Sequence, residues 1–520
     1  MRTRTNKKYI AIVLMAMLTA GVQPAPAQGF LNKLKNKAKE VLDNVTNVEN
    51  NASATNKNKS TAGESNKNSG GQGKVPEHDT PVGVENLHMG TSHVKVSNNQ
   101  YTPKVTSSTK YLTVNGSIND YHNFFDGVAY INSYEDGIYY IDMQGNKLFD
   151  SRIDKSVQNL VPRFNNGVVM EYVAREHRAY IRDKKGNTIK DIPVYSACNF
   201  EEGIAAVSFK KNATSLKDND TWTIKYIDAK GNYVFPKLWF TSTEFYSANL
   251  EQNNVVRKTS EGMKAYAVYD DKKSCFLWGF HDGKGNVVIA PKYLEVSDFH
   301  DGMAAVCCAP IDKGKGAQKR WGYIDKTGRE VIPAKYSIKP SDFDSGLARV
   351  ITRDENAYII DKAGNQVFGP VGPASQQSDA DETYGYISPF YNGMAIMEYS
   401  VNTLAGYKKR FVCTVDTNFK KLAWTLLEDN PSMDNAYDPV KRNSSMEFVY
   451  YSREDNTCYI RHSLDYWKII DMKTLDEKPA SMIFRYPIVN GLSVYSDAGG
   501  NRGYVDINGN FVIKVKQNEF

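Results

Sequence analysis

The sequence lacks most of the features that would assign it to a disulfide-rich, membrane-spanning or catalytic class. Only 6 of its 520 residues are Cys, too few for a scaffold that depends on disulfides. Mean hydropathy is −0.52 and there is one long apolar run, which excludes a protein with several transmembrane helices. No HExxH, GxSxG, P-loop or CxxC motif is present. The sequence therefore predicts a non-enzyme with no catalytic residue, no cofactor and no metal ligand.

The single long apolar run has the form of an export signal. A cationic segment at residues 2–8 precedes an apolar stretch at residues 9–22, and Ala25-Pro26-Ala27 forms a cleavage site. This is the pattern of a secretory signal peptide, so residues 1–27 are predicted to be removed. No Cys follows the apolar stretch, which argues against a lipoprotein. The mature protein is expected in the periplasm, at the cell surface or outside the cell of a Gram-negative-type bacterium.

The positive charge is concentrated before the predicted folded body. The whole chain has a formal charge of +6, and the signal peptide contains four basic residues and no acidic one, so the mature chain carries +2. Residues 28–110 contain eleven Lys and seven acidic residues, a net +4, which leaves about −2 for residues 111–520. A body with this charge is not expected to bind nucleic acid.

Two kinds of segment are predicted between the signal peptide and the body. Residues 28–49 place apolar side chains at helical spacing, which predicts a short amphipathic basic helix. Such a helix either contacts an anionic membrane surface or a partner, or is only marginally folded by itself. Residues 50–110 are rich in small and polar residues and are predicted to be a flexible linker. The lysines that would make the contact are Lys33, Lys35, Lys37 and Lys39.

Residues 111–520 repeat a unit of about 45 residues, with about nine copies. The clearest copy, residues 299–336, contains FHDGMAAV and then WGYIDKTGREVIPAKY. The clearer copies have Phe-x-x-Gly before one apolar strand and Asp-x-x-Gly between two more. This order predicts a β-meander of three or four strands. One meander cannot cover both of its faces, so the repeats must pack on one another.

Residues at fixed positions define the repeat. Tyr323 points away from Gly322 across its strand, Asp325 opens the hairpin turn, and Gly328 takes the left-handed position of that turn. Gly302 supplies a backbone position suited to positive φ. The repeat-defining residues are Trp278, Gly279, Gly302, Trp321, Gly322, Tyr323, Asp325, Gly328, Gly346, Gly364 and Gly509.

The repeats can form a propeller-like ring or an open β-superhelix. A repeat of this length with several short strands suits a propeller blade. Residues 111–114 are positioned in the sequence to pair with residues 511–515 and so close a ring. The sequence therefore predicts an all-β, propeller-like array, with the open superhelix or solenoid as the alternative.

The motifs WGF at residues 278–280 and WGYID at residues 321–325 are followed by Gly-Asn or Gly-Arg and by Ile-Pro-x-Lys-Tyr or a close variant. In these motifs the chain resembles the WG-repeat (KWG-type) family of bacterial proteins. The resemblance is specific in residues 299–336 and weaker elsewhere, because most copies lack the Trp. It implies an all-β repeat array used for binding, and no shared reaction or catalytic residue.

An Asp recurs at one position of the repeat and has two interpretations. A ring of carboxylates would suit Ca²⁺, whereas the first residue of a hairpin turn uses its carboxylate to accept backbone N–H groups. The turn explains the recurrence better. The residues concerned are Asp142, Asp228, Asp325, Asp361 and Asp506.

These observations predict a non-catalytic, exported binding or scaffold protein that engages a protein or a component of the cell envelope. The alternative is a carbohydrate-binding or glycan-processing propeller with a glycan as ligand, because two carboxylates from different repeats can converge on one site. Loops that interrupt a rigid array are expected to carry the binding site. These are residues 211–221, 241–262, 370–386 and 427–445.

Overall fold

The computed structural model describes residues 80–91, 103–153, 160–210, 221–244, 250–251, 253–308, 319–372, 382–402, 404, 406, 408–426, 449–452, 457–463, 466–478, 486, 488–497 and 499–518. The chain divides into Met1–Lys74 and Val75–Phe520, and all of these residues belong to the second part. The predicted signal peptide (1–27) and basic helix (28–49) lie outside the described residues, as do Lys33, Lys35, Lys37 and Lys39.

Nine sheets follow one another along the described part of the chain, and we number them repeats 1 to 9. Strands β1 (His88–Met89) and β2 (Lys110–Asn115) precede them. Repeat 1 contains β3 (Ile118–Tyr121), β4 (Val128–Ser133), β5 (Gly137–Asp142) and β6 (Lys147–Asp150); repeat 2 contains β7 (Val168–Val173), β8 (Arg178–Asp183) and β9 (Thr188–Pro193); repeat 3 contains β10 (Ser196–Ala197), β11 (Ile204–Lys210), β12 (Trp222–Asp228), β13 (Tyr233–Val234) and β14 (Phe240–Ser242).

The middle three repeats have the same plan. Repeat 4 contains β15 (Val256–Ser260), β16 (Met263–Asp270), β17 (Cys275–Asp282) and β18 (Val287–Tyr293); repeat 5 contains β19 (Glu295–Val296), β20 (Met303–Cys308), β21 (Arg320–Asp325) and β22 (Glu330–Tyr336); repeat 6 contains β23 (Leu347–Ile351), β24 (Ala357–Asp361) and β25 (Gln366–Val371).

The last three repeats complete the array. Repeat 7 contains β26 (Glu382–Ile387), β27 (Met394–Asn402), β28 (Lys408–Asp416) and β29 (Lys421–Leu426); repeat 8 contains β30 (Val449–Ser452), β31 (Thr457–Ser463) and β32 (Tyr466–Ile470); repeat 9 contains β33 (Leu492–Ser496), β34 (Arg502–Asp506) and β35 (Phe511–Asn518).

Helical structure is confined to two 3₁₀ segments within the described ranges, Ala174–Glu176 and Pro236–Leu238. In the same ranges, no helix has the length and apolar character needed to cross a bilayer. Strands within a repeat are antiparallel, as in the ladder of β20, β21 and β22. The expectation of an all-β array of meander repeats is confirmed.

Burial explains why the strands differ in composition. All six residues of β4, which lies inside its sheet, are buried, and so are all six of β7, the first strand of its three-stranded sheet. The edge strand β22 is more exposed: Ile332 is buried next to the exposed Pro333, and Lys335 is exposed between the half-buried Ala334 and Tyr336. Runs of buried residues therefore mark strands with both faces covered, and alternation marks a strand with one open face.

The Phe-x-x-Gly motif forms a two-residue turn. Asp301 has a φ of 56° and Gly302 a φ of 79°, and two backbone hydrogen bonds join His300 to Met303 across them. Positive φ at both central residues defines a type I′ turn, which suits the twist of the strands on either side. Gly346 repeats this geometry with a φ of 82°.

The Asp-x-x-Gly motif forms the second turn of each repeat. The Asp325 carboxylate accepts the backbone N–H groups of Thr327 at 3.0 Å and Arg329 at 3.1 Å. Gly328 lies at a φ of 81°, and Gly364 and Gly509 at 81° and 75°. A hydrogen bond from the Thr327 side chain is the main reason that the pKa of Asp325 falls to about 2. These carboxylates are thus used within their own turns.

Two repeats without the turn glycine differ from the sequence-based expectation. The sequence predicts Asn418 and Asp476 at the glycine position, but the residues with positive φ are Phe419 at 62° and Leu475 at 59°. Asn is the common non-glycine choice for such a φ, which favours Asn418 from sequence alone. Backbone pairing decides otherwise, because the N–H of Phe419 donates to the carbonyl of Asp416 at 2.8 Å.

Steric crowding explains why a glycine follows the tryptophan in each Trp-Gly motif. A Cβ on Gly322 would lie 2.4 Å from the carbonyl oxygen of Ile332 in β22, and a Cβ on Gly279 would lie 2.3 Å from that of Ile289 in β18. Both edge strands shift register beside this glycine. The bulged edge strand therefore crosses where only a glycine leaves room.

Buried apolar clusters join each repeat to the next. They connect repeats 2 to 4 in one cluster, and 4 to 5, 5 to 6, 6 to 7, 7 to 8 and 8 to 9 in others. Repeat 1 contacts repeat 2 through Tyr140 and Val169, and repeat 9 contacts repeat 1 through Tyr504 and Ala129. The contacts return to the first repeat, as a propeller-like array requires.

The contact between repeats 9 and 1 uses the same Tyr–Phe ring pair and the same Tyr hydrogen bond as the contact between repeats 5 and 6. Between repeats 5 and 6, the ring centroids of Tyr323 and Phe343 are 4.7 Å apart. Between repeats 9 and 1, those of Tyr504 and Phe124 are 4.6 Å apart. In both pairs the Tyr hydroxyl donates to the backbone carbonyl two residues before the Phe. The last contact is therefore built like the others.

Strand β1 of the predicted linker 50–110 pairs with the array, as does Lys110, the residue at which β2 begins. Strand β1 pairs in parallel with β29, with His88 opposite Ala423. Strand β2 pairs in parallel with β35, with Lys110 opposite Ile513, which is the pairing expected for residues 111–114. Composition predicts a linker because residues 50–110 are rich in small and polar side chains, but at His88–Met89 the edge of β29 holds the backbone through hydrogen bonds.

Candidate binding site

The two-residue turns of successive repeats are joined in a row by side-chain oxygens. In each link, a carboxylate or amide oxygen of one turn accepts the backbone N–H of the glycine in the next turn. Such bonds satisfy backbone groups that the tight turn leaves outside the strand ladder. The links are Asp126 to Gly167, Asn165 to Gly203, Glu261 to Gly302, Asp301 to Gly346 and Asp344 to Gly393, at 2.5 to 3.0 Å.

Lysines from the following Asp-x-x-Gly turns strengthen this row. Lys326 contacts Glu261 at 3.1 Å, and Lys362 contacts Asp301 at 3.0 Å. The charges of the row are thus neutralised within the array. A partly exposed ion pair contributes little by itself, so the main effect of the row is to fix the turns in position.

The row changes at repeat 7. Asn392 occupies the position of Asp301, but its side-chain amide donates to the hydroxyl of Tyr451 in repeat 8. The rings of Tyr391 and Tyr451 stack with centroids 4.9 Å apart and planes at 24°. Offset stacking of this kind adds to the burial of the two rings. Repeat 7 therefore has an aromatic and amide contact with repeat 8, whereas the links named above join a side-chain oxygen to a glycine N–H.

A pocket of about 320 Å³ opens beside this contact, between repeats 7, 8 and 9. Its size falls in the range of small-molecule sites. Tyr391 and Tyr451 form one side, and Met394, Ile469 and Ile507 supply apolar surface. Its polar lining comes from Asn392, Thr457, Asp471, Lys473 and Lys478.

Charge at the pocket is arranged on one turn of repeat 8. Lys478 contacts the Asp471 carboxylate at 2.8 Å, and the backbone N–H of Lys473 donates to the same carboxylate at 2.9 Å. Burial raises the pKa of Asp471, but these hydrogen bonds outweigh it and the pKa lies below its usual value. Asp471 is therefore ionised, and two lysines against one carboxylate make the opening mildly cationic.

The thiol and phenol at the pocket are poor nucleophiles. Cys458 is 2% exposed, and burial raises the pKa of its thiol. Burial likewise raises the pKa of Tyr391. Both groups keep their protons at neutral pH, so neither is activated for covalent chemistry. The pocket offers stacking, apolar contact and hydrogen bonding.

Residues 80–91, which we call the strap, lie against the same turn of repeat 8. The imidazole Nε2 of His88 is 3.0 Å from the Asp476 carboxylate. The Thr91 hydroxyl accepts the backbone N–H of Glu477 at 3.0 Å. The turn from Asp471 to Lys478 therefore has the pocket on one side and the strap on the other.

The sequence-predicted residues lie away from this pocket. Trp278 and Trp321 are 6% and 3% exposed and belong to the clusters between repeats 4 and 5 and between 5 and 6. Arg257 lies over the Trp278 ring at 4.2 Å. The structure does not bring the repeat-defining residues into one site. They form the packing and the turns of successive repeats.

Sequence analysis missed the pocket residues Tyr391, Tyr451 and Asp471 as a group. The signal that could have found them is the weak copy at residues 446–480, which follows the interrupting segment 427–445. Where a repeat loses its pattern, its side chains no longer follow the shared packing plan. Residues 427–448 lie outside the described residues.

The part of the chain that the structure describes contains neither a cluster of metal ligands nor a disulfide bond. No three His, Cys, Asp or Glu side chains in those ranges are grouped as metal ligands. The six Cys are free thiols, and Cys198, Cys307, Cys413 and Cys458 are buried.

A protein-family model matches part of the repeat array. Residues 278–308 and 321–354 match the family described as WG containing repeat. None of the curated proteins matches the sequence.

Solved structures similar to this chain include BamB from Moraxella catarrhalis, with 10% identity, a TM-score of 0.28 and coverage of 71% of this chain and 92% of that one. Apo AztD from Citrobacter koseri has 13% identity, a TM-score of 0.26 and coverage of 59% and 86%. The β-propeller domain of the Trilobed protease from Pyrococcus furiosus has 11% identity, a TM-score of 0.26 and coverage of 57% and 94%.

Proposed function

We propose that this WG-repeat-containing chain is a non-catalytic binding protein and that the pocket between repeats 7, 8 and 9 is its binding site. The observation that carries the proposal is the change at Asn392. In the regular repeats the turn side chain is used to join the array, whereas here it turns to Tyr451 beside a pocket of about 320 Å³. A pocket lined by aromatic, apolar and a few polar side chains is suited to recognition.

The chemistry of the pocket supports a protein partner. Tyr side chains with a polar end and an apolar body are enriched at protein interfaces, and Tyr391 and Tyr451 border apolar surface from Met394 and Ile469. The pocket suits an aromatic or aliphatic side chain of the partner. Lys473 and Lys478 favour an acidic residue next to that side chain.

A glycan is the second candidate ligand. The observation in its favour is the pairing of tyrosine rings with the Asn392 amide and Thr457, since rings stack on sugar faces and amides bind hydroxyl groups. A glycan-processing activity would need two carboxylates facing each other across the substrate. The pocket lining contributes one, Asp471.

The site of action is part of the proposal. The signal sequence at residues 1–27 supports export, and the basic residues Lys33–Lys39 support a peripheral contact between the tail and an anionic membrane surface or a partner. The proposed partner is therefore a protein or another component of the cell envelope.

The test is quantitative cross-linking of the tagged mature protein, residues 28–520, in its native cell envelope. Tyr451→Ala removes one ring of the pocket. Tyr134→Ala, at a residue 65% exposed in repeat 1, is the matched control. We expect one partner whose recovery falls about tenfold with Tyr451→Ala and is unchanged with the control, as for loss of an aromatic anchor.

Two results would count against this function. Equal recovery of every cross-linked species from all three proteins would remove the pocket as the binding site. Loss of binding after digestion of envelope glycans, with protein partners intact, would replace the protein partner by the glycan.

A further inference from the structure

We propose that the strap regulates the pocket: when the strap is docked it holds the Asp471–Lys478 turn in place as part of the pocket wall, and when it is released the turn loosens and the pocket widens. The strap is not part of the pocket, and the proposal rests on the proposed function only for its biological meaning. Its physical basis is that the Asp471–Lys478 turn of repeat 8 contacts both the pocket and the strap.

The first surface of the turn is the pocket wall. Asp471, Met472, Lys473 and Lys478 line the pocket. The Asp471–Lys478 ion pair closes the turn across its two ends at 2.8 Å. Any movement of this turn therefore changes the shape of the pocket.

The second surface of the turn is the dock for the strap. A Cβ added to Gly90 would lie 2.5 Å from the Leu475 Cβ and 2.6 Å from its carbonyl oxygen. His88 and Thr91 bind Asp476 and Glu477 on either side of this contact. The fit leaves no room for a side chain at residue 90, so the contact is specific.

Hydrogen bonds inside the turn connect the two surfaces. The N–H of Leu475 donates to the carbonyl of Asp471 at 2.7 Å, and the N–H of Asp471 donates to the carbonyl of Asp476 at 2.9 Å. Asp471 faces the pocket, while Leu475 and Asp476 face the strap. Two such bonds make the turn move as one body, which is the physical link that coupling between neighbouring sites requires.

Repeat 7 provides the strap with its other attachment. Val84 is 1% exposed in the cluster between repeats 6 and 7. The N–H of Gly90 donates to the carbonyl of Trp424 at 2.8 Å, next to the short β1–β29 ladder. The strap thus bridges repeats 7 and 8.

The experiment measures N-ethylmaleimide labelling of individual cysteines by mass spectrometry, in the mature protein. Cys458 lines the pocket and reports opening, while buried Cys198 in repeat 3 reports global unfolding. Gly90→Ala displaces the strap by the clash with Leu475. Gly283→Ala adds the same Cβ at a turn where nothing lies within 4 Å and is the matched control.

We expect N-ethylmaleimide to label Cys458 about tenfold faster in the Gly90→Ala protein than in the wild type. The rate of labelling of a buried thiol depends on the free energy of local opening. Cys198 labelling and the Gly283→Ala protein should be unchanged. Hydrogen exchange at residues 80–91 should rise in Gly90→Ala, which shows that the strap has been released.

Val84→Asp releases the strap from its other attachment and must give the same pattern. If the strap exchanges faster in either variant while Cys458 labelling stays at the wild-type rate, the coupling is absent and the proposal fails. If the strap stays protected in both variants, the contacts described above do not hold it, and the proposal fails as well. Labelling needs no ligand, so these outcomes are independent of what the pocket binds.

Discussion

Repeats 4 to 6 and repeats 7 to 9 are built on the same meander but are completed differently. The first group contains the residues that match the WG repeat, 278–308 and 321–354, and is joined by its own turns and rings. The second group lacks the glycine of the Asp-x-x-Gly turn in repeats 7 and 8. It takes two additional strands, β1 and β2, from the amino-terminal side. The pocket lies in this second group.

The comparison shows how the regular repeats use the polar side chains of their turns. When every position follows the plan, each polar side chain of the turns has a structural use, as Asp301 does on Gly346. At Asn392 the side-chain amide instead donates to the hydroxyl of Tyr451, beside the pocket. The array then needs support from elsewhere, and the strap supplies it across repeats 7 and 8.

Gly322→Val should have the largest effect on stability, because it tests the regular group at its tightest point. A Cβ there would lie 2.4 Å from the carbonyl oxygen of Ile332, so β21 and β22 must separate. We expect a loss of about 4 kcal/mol or more in the free energy of unfolding, measured by urea denaturation. Unchanged stability would contradict the close approach of the two strands.

Phe343→Ala and Phe124→Ala compare a regular contact with the contact that joins repeat 9 to repeat 1. Both rings are fully buried and each packs on a Tyr of the preceding repeat. We expect each substitution to lower the free energy of unfolding by about 3–5 kcal/mol. A much smaller loss for Phe124→Ala would indicate that the array does not close through this contact.

Asp301→Ala and Asn392→Ala test the row of turns where it continues and where it changes. Asp301 accepts the Gly346 N–H and pairs with Lys362, so its removal should cost about 1–2 kcal/mol of unfolding free energy. Asn392→Ala should cost less and should instead weaken partner binding. The reverse ranking in thermal or urea denaturation would place the structural link at Asn392.

The acid dependence of the turns should be the smallest effect. The pKa of Asp325 is about 2 in the folded chain, below its unfolded value of about 4. Its stabilising contribution is therefore present above pH 4 and is lost as the pH falls from 4 to 2. Asp325→Asn should reduce the difference in urea midpoint between pH 5 and pH 3. An unchanged pH dependence would show that the carboxylate is not used in the turn.

The regular repeats could be predicted from sequence because their determinants are local. Asp325 and Gly328 lie three residues apart in one turn, and the adjacent Asp301 and Gly302 form another. Both turns can therefore be predicted from the residue types in the sequence. The pairing of residues 111–114 with the last strand could also be predicted, because both segments alternate and a propeller needs a closing strand.

The pocket and the strap could not be predicted because their determinants are distant in sequence. Asn392 meets Tyr451 across 59 residues, and His88 meets Asp476 across 388. No periodicity links such pairs, and residues 80–91 contain too few large side chains to show a strand. Similarly, Phe419 rather than Asn418 takes the positive φ because of the hydrogen bond that its N–H donates to Asp416.

The sequence by itself determined the repeat period and the two turns of the regular repeats, because each depends on neighbouring residues. Only the tertiary structure decided that Tyr504 packs on Phe124, that the strap docks on repeats 7 and 8, and that one turn of repeat 8 separates the strap from a pocket. These features depend on which backbone edges and which side chains meet after the chain has folded, and that is settled by packing between repeats.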